Sequence, residues 1–179
     1  MLSIRHEKCQ FSPTLYIYIY LLTERPYMAQ RRHQVSLKSQ KEVGDMGPKF
    51  LNSGKVLPAK AKLPFSEAVR VGNLIYLSGQ IGIMPGTLEL VPGGIKAEAK
   101  QVMENIKTSL AAHGLSMSQV VKCTVMLADM KEWGAFNEVY QTYFVAGSFP
   151  ARSAFGTSGL GFNARVEVEC IAVATERQE

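Results

Sequence analysis

Ala164-Arg165-Val166-Glu167-Val168-Glu169-Cys170-Ile171-Ala172-Val173-Ala174 is the most apolar strand-like run in the chain, and two acids interrupt it. Successive side chains of a strand point to opposite faces. Val166, Val168, Cys170 and Ala172 therefore share one face, and Glu167, Glu169, Ile171 and Val173 share the other. One face suits a core. The other carries acids, a residue type that is seldom fully buried without a partner. Fifteen residues before Glu167, the stretch Phe149-Pro150-Ala151-Arg152-Ser153-Ala154 sets an arginine into a second extended run. Pro150 fixes its own φ and offers no backbone donor, which suits the start of a strand.

Upstream of these two strands, the order of elements follows from periodicity. Glu67–Val71 and Leu74–Ser78 read as two strands around Gly72-Asn73, a hairpin signal. Ser78-Gly79-Gln80 ends the second strand, and Gly79 leaves room for the chain to turn or for a ligand to come close. Ile95, Ala99, Val102, Met103, Ile106 and Leu110 repeat at helical spacing, so a helix is predicted from about Ile95 to His113, with Gly114 as its stop. The β-branched run Val120–Leu127 predicts a strand. Asp129 is a candidate N-cap for a second helix from about Lys131 to Val145, with Trp133, Phe136, Val139, Tyr140 and Tyr143 as its buried stripe and Gly147 as its end. The order ββ-α-β-α-ββ predicts an α+β fold, a single mixed β-sheet with two helices packed on one face.

The first 48 residues differ from the rest. Leu15–Leu22 is an apolar, tyrosine-rich run too short to span a bilayer as a helix. Basic residues precede it, as in a secretory signal, but no small-residue cleavage site follows cleanly. The polar, basic stretch from Gln30 to Lys41 reads as a disordered linker. Met28 or Met46 is an alternative start, with the residues before it an over-long reading frame. The division predicted is residues 1–48 as a disordered or mis-annotated extension and residues 49–179 as the folded domain.

Charge follows the same division. Of the net +5, residues 1–49 supply a surplus of four, eight Lys/Arg against four Asp/Glu, and the other 130 residues carry only +1. A near-neutral domain gives no electrostatic case for nucleic acid. Cys9, Cys123 and Cys170 are widely spaced and odd in number, which argues against a disulfide framework and for a reducing, cytoplasmic setting. His6, His33 and His113 form no metal-ligand spacing.

Two readings of the arginine and the acids stand side by side. Arg152 with Glu167 or Glu169 is a cross-strand ion pair of the ordinary kind, or it is the anchor of a site. Arg152 presents a planar fork matched to a carboxylate. It follows a proline and has small neighbours, Ala151, Ser153 and Ala154, which leave space in front of it. With an acid to orient water, backbone amides near Gly79 and the amide of Asn137, the parts suffice to hydrolyse an electrophile that is already reactive, such as an imine.

Four stretches together resemble the RidA/YjgF family of enamine/imine deaminases. They are Gly72–Gln80; Asn105 with Val121–Val125; Phe136–Tyr140; and Pro150–Ser153 with Val166–Glu169. The resemblance covers about Phe50 to Ala174. It implies a chorismate-mutase-like protomer, a homotrimer with sites at subunit interfaces, and cofactor-free hydrolysis of small-molecule 2-imino acids to 2-oxo acids and ammonia. Neither nucleic acid nor membrane is an implied partner. Carried over residue by residue, Arg152 binds the substrate carboxylate and Glu167 positions the water, while Ser78, Gly79 and Asn137 line the pocket. Phe65 stands where many family deaminases have tyrosine, and Ala154 where they often have cysteine, so substrate or rate is expected to differ. Two alternatives remain open: a non-catalytic trimer that binds small carboxylates as a sensor or chaperone-like partner, and an RNA-directed ribonuclease or translation inhibitor.

Overall fold

The structure is a computed structural model that describes residues 47–58 and 60–174. The expectations for the tyrosine-rich run and the basic linker lie outside the described residues. Six strands form one mixed sheet: β1 (Lys49–Leu51), β2 (Ala68–Val71), β3 (Leu74–Ile81), β4 (Val120–Leu127), β5 (Ala151–Gly156) and β6 (Val166–Val173). Their spatial order is β1-β2-β3-β6-β4-β5. All pairs are antiparallel except β4 with β5. That parallel pair needs a crossover, and α2 (Trp133–Tyr140) supplies it. The longer helix α1 (Gly94–Ala112) joins β3 to β4.

The hairpin is formed where Gly72-Asn73 predicted it, with Gly72 at φ 58°, a value that costs a residue without Cβ little. α1 buries Ala99, Val102, Met103, Ile106 and Leu110 against Ile75, Leu77, Cys123, Val125, Leu127, Val166, Val168, Cys170 and Ala172 from the sheet. Each of the larger side chains contributes about 1.5–3 kcal/mol by leaving water. The alternation of β6 is kept: Val166, Val168, Cys170 and Ala172 are buried, while Glu167, Glu169, Ile171 and Val173 are not. Cys123 and Cys170 are strand partners, both free and buried, with their sulfurs 2.9 Å apart.

Three features differ from the sequence reading. The three-residue strand β1 was not foreseen, because Lys-Phe-Leu is too short to show alternation. β3 runs on to Ile81 instead of ending at Ser78-Gly79-Gln80, and its pairing with β6 shifts register between Leu77 and Gln80. The predicted second helix is only two turns of α-helix, extended by 3₁₀ turns at Met130–Glu132 and Gln141–Tyr143. Asp129 does cap this region, accepting from the Lys131 N–H at 2.9 Å. So short a helix buries Phe136 and Tyr140 but leaves Trp133 43% exposed, outside the core stripe assigned to it.

Buried polar groups fix the end of β3. Asn105 on α1 donates to the carbonyls of Ile81 and Ile83 at 3.1 and 3.0 Å, and its own carbonyl accepts from Gln101. An amide among apolar side chains is tolerable only when paired in this way. The helices cover one face of the sheet. On the other face stand Tyr76, Ile171, Thr124, Met126, Phe155 and the two acids, and among the described residues no helix lies over them.

Candidate active site

Arg152 is brought to the helix-covered face. On β5 it sits in register with Cys123, which is in register with Cys170, and both cysteines point into the core under the helices. The guanidinium of Arg152 lies over the ring of Tyr140 from α2, 4.6 Å from the ring centroid. Among the described residues it has no hydrogen bond and no ion pair, so its donors are unspent. In front of it is a cavity of about 390 Å³ lined by Asn137, Tyr140, Gln141, Phe149, Pro150 and Arg152. Asn137 Oδ1 is buried there without a hydrogen-bond partner, and the Tyr140 hydroxyl lies against the Cys123 thiol. A guanidinium with unspent donors at the wall of a cavity is chemically able to receive an anion, and its planar fork is matched to a carboxylate. Ala154, two residues along β5, is on the same face and packs against the core.

Glu167 is on the opposite face. Its strand partners are Ile81 on β3 and Met126 on β4. The register shift between Leu77 and Gln80 carries Ser78-Gly79 past it. A Cβ on Gly79 would stand 1.8 Å from Glu167 Oε1, so the carboxylate occupies space that only glycine leaves free. Ser78 is held by two bonds to the neighbouring segment, its hydroxyl donating to Ser66 O at 2.7 Å and its N–H to Glu67 O at 3.0 Å. Phe65, which is half exposed, directly precedes the Ser66 that accepts from Ser78. Burial, and after it the Glu169 charge, raise the pKa of Glu167 above the ordinary carboxylate value. An acid biased toward protonation and, among the described residues, free of any ion pair is suited to exchanging protons with water.

The sequence-predicted residues thus fall into two groups. Arg152, Asn137 and Ala154 belong to the helix-covered face; Glu167, Gly79 and Ser78 belong to the open side. Within one chain the structure does not bring Arg152 and Glu167 together. The cross-strand ion pair fails for the same reason: β4 lies between β5 and β6, and the two residues differ in face. Tyr140, Gln141 and Phe149 also line the arginine cavity and were not assigned to it from sequence. The signal for Tyr140 was present, because it lies three residues after Asn137 on a helix and so shares its face.

The protomer is an α+β protein of helices on one sheet face, with an arginine in a cleft on that face and an acid on the other, neither ion-paired among the described residues. Residues 57–174 match the family described as Endoribonuclease L-PSP, and the chain belongs to that family. It is 50% identical over 110 residues to the 2-iminobutanoate/2-iminopropanoate deaminase of Mus musculus, 62% of this chain and 81% of that one. The fold is that of RidA from an Antarctic Psychrobacter, with TM-score 0.64, 40% identity and coverage of 70% of this chain and 98% of that chain. It is also that of E. coli TdcF, solved with bound serine, with TM-score 0.65, 30% identity and coverage of 71% and 99%. No helix among the described residues is long and apolar enough to cross a membrane.

Proposed function

We propose that this protein hydrolyses 2-imino acids and their enamine tautomers to 2-oxo acids and ammonia, in sites shared between copies of the chain in a homotrimer. The observation that carries the reading is the pairing of opposites: among the described residues, a guanidinium with no anion on one face, and a carboxylate with no cation and a raised pKa on the other. The two groups needed for one reaction meet when the open side of one copy comes against the arginine cavity of the next. The uncovered face, with Tyr76, Phe155 and Val71 exposed, is the kind of apolar surface that marks an interface. Heterologous contacts of this kind close into rings.

In the reaction, the Arg152 fork holds the substrate carboxylate and fixes the position of the adjacent imine carbon. Glu167 from a second copy accepts a proton from water as its oxygen bonds to that carbon. Glu167 returns that proton to the imine nitrogen, giving a tetrahedral carbinolamine; the carbinolamine's hydroxyl proton then passes to the nitrogen as the carbon–nitrogen bond breaks, and ammonia leaves with the 2-oxo acid formed. Water is the only co-reactant, so no cofactor is required. Asn137, Ser78, Gly79, Phe65 and Ala154 shape the walls. Phe65 and Ala154 supply neither hydroxyl nor thiol, which leaves those walls less polar. We place the domain boundary near Met46, with residues 1–48 outside the catalytic unit, and the protein in the cytoplasm, where buried Cys123 and Cys170 stay reduced.

The test is an imine generated in situ by an amino-acid oxidase, its decay followed with and without the protein. Wild type accelerates the loss and Arg152→Ala does not. A trimer that binds small carboxylates without accelerating the loss would leave the protein a sensor and overturn the catalytic reading. RNA cleavage that survives Arg152→Ala, with no effect on the imine, would favour the activity in the family's printed description.

A further inference from the structure

We propose that Tyr140 is a positioning residue for substrate binding, its ring serving as the platform that sets the plane and direction of the Arg152 guanidinium. The inference rests on the reading of Arg152 as carboxylate anchor. A bidentate fork is useful only if it is aimed, and a long arginine side chain has many rotamers to lose. Among the described residues nothing hydrogen-bonds Arg152 and no acid pairs with it, so the ring of Tyr140, 4.6 Å away, is the group that orients it. The platform is itself immobilised. Tyr140 is 4% exposed, its ring packs at 5.6 Å from Phe136 and 4.9 Å from Phe144, and Phe144 leans on Phe149 at 6.5 Å. Phe149 in turn walls the cavity. The sequence Phe136-x-x-x-Tyr140-x-x-x-Phe144 thus builds an aromatic stack that ends under the arginine and beside the cavity.

An acid in place of this ring would orient the guanidinium more strongly, but it would neutralise the charge the substrate needs. An aromatic face attracts the cation and leaves its hydrogen-bond donors free. Tyr140 also stays uncharged: burial first, then the Cys123 thiol against its hydroxyl, push its pKa up, so no phenolate competes with the incoming carboxylate.

The experiment compares Tyr140→Phe, which keeps the ring, with Tyr140→Leu, which removes it, in the full chain. Steady-state imine hydrolysis and titration with the product 2-oxobutanoate are measured, with wild type and Arg152→Ala as references. Tyr140→Phe is expected within about threefold of wild type, and Tyr140→Leu to raise KM and weaken the product acid roughly fivefold to tenfold, with a smaller change in kcat. In the Arg152→Lys background, where the fork is already lost, Tyr140→Leu should add little. Wild-type KM in Tyr140→Leu, or an equal loss in Tyr140→Phe, overturns the proposal. If Tyr140→Leu does not fold, Tyr140→Met, of similar bulk but without a π face, is judged by the same criteria. Product binding unchanged by Arg152→Ala would instead overturn the carboxylate-anchor reading, whatever Tyr140 does.

Discussion

Glu167 lays its carboxylate across Gly79, so closely that a single methyl group at that position would reach within 1.8 Å of Oε1. The atom in the way is the end of a flexible side chain, and Gly79 is not in the left-handed region, so the backbone can accept alanine. Gly79→Ala is expected to fold and assemble while pushing the carboxylate aside, lowering kcat roughly tenfold to a hundredfold. Circular dichroism and turnover together check it. Full activity in Gly79→Ala would mean that the observed position of Glu167 is not the working one.

The pH profile follows from the environment of Glu167. Burial and Glu169 raise its pKa, so the acid limb of kcat/KM should lie above the ordinary glutamate value of about 4.3. Glu169→Gln removes the second cause and should move that limb to lower pH. The stability sign is opposite to that of a salt-bridged acid. A raised folded-state pKa favours the protonated form, so its stabilisation is present below the unfolded pKa and lost as pH rises through the folded one. Glu167→Gln, which imitates the protonated group, should therefore slow turnover at neutral pH without lowering Tm. Thermal melts and rates across pH 4–8 separate the two effects.

Arg152→Lys should be nearly as damaging as Arg152→Ala. An ammonium keeps the charge but neither presents a planar fork nor lies flat on the Tyr140 ring. Loss of about a hundredfold in kcat/KM is expected, with folding unchanged. A lysine variant near wild type would show that charge alone suffices.

A mixing experiment tests whether sites are shared. Arg152→Ala and Glu167→Gln are each expected to be nearly inactive alone. Unfolded together and reassembled one to one, they should regain about a quarter of wild-type activity, because random assembly puts an intact arginine against an intact glutamate at that share of the interfaces. No recovery in mixed trimers confirmed by mass would mean that each site draws both residues from one chain.

The elements that positioned these residues were largely legible. The alternation in Val166–Val173 gave the two faces of β6 correctly, and the helical repeat from Ile95 to Leu110 gave α1 and its buried side. Arg152 and Glu167 stood out singly because charge in a strand is conspicuous. Their relation was not legible. The sequence makes β5 and β6 neighbours, but the crossover through α2 sets β5 on the outer edge and β4 slips between them. Which face an edge strand presents is decided by how that crossover lands, and no local pattern encodes it. Tyr140 was read as core because a buried tyrosine looks alike whether it fills space or carries an arginine; the difference lies in what stands above the ring. Trp133 was misread in the opposite sense, since an amphipathic stripe predicts burial only as far as the helix lies on the sheet.

The separation of Arg152 and Glu167 by the thickness of the sheet has a consequence for how the protein behaves in dilute solution. On the proposed reading that sites form between chains, a lone copy would be catalytically silent, and specific activity would be a function of concentration. It would hold constant while the proposed ring persists and fall away on dilution past the point where the ring comes apart. Newly made chains would then contribute nothing until they meet, and the dose of protein, more than its intrinsic rate, would set the threshold at which activity switches on.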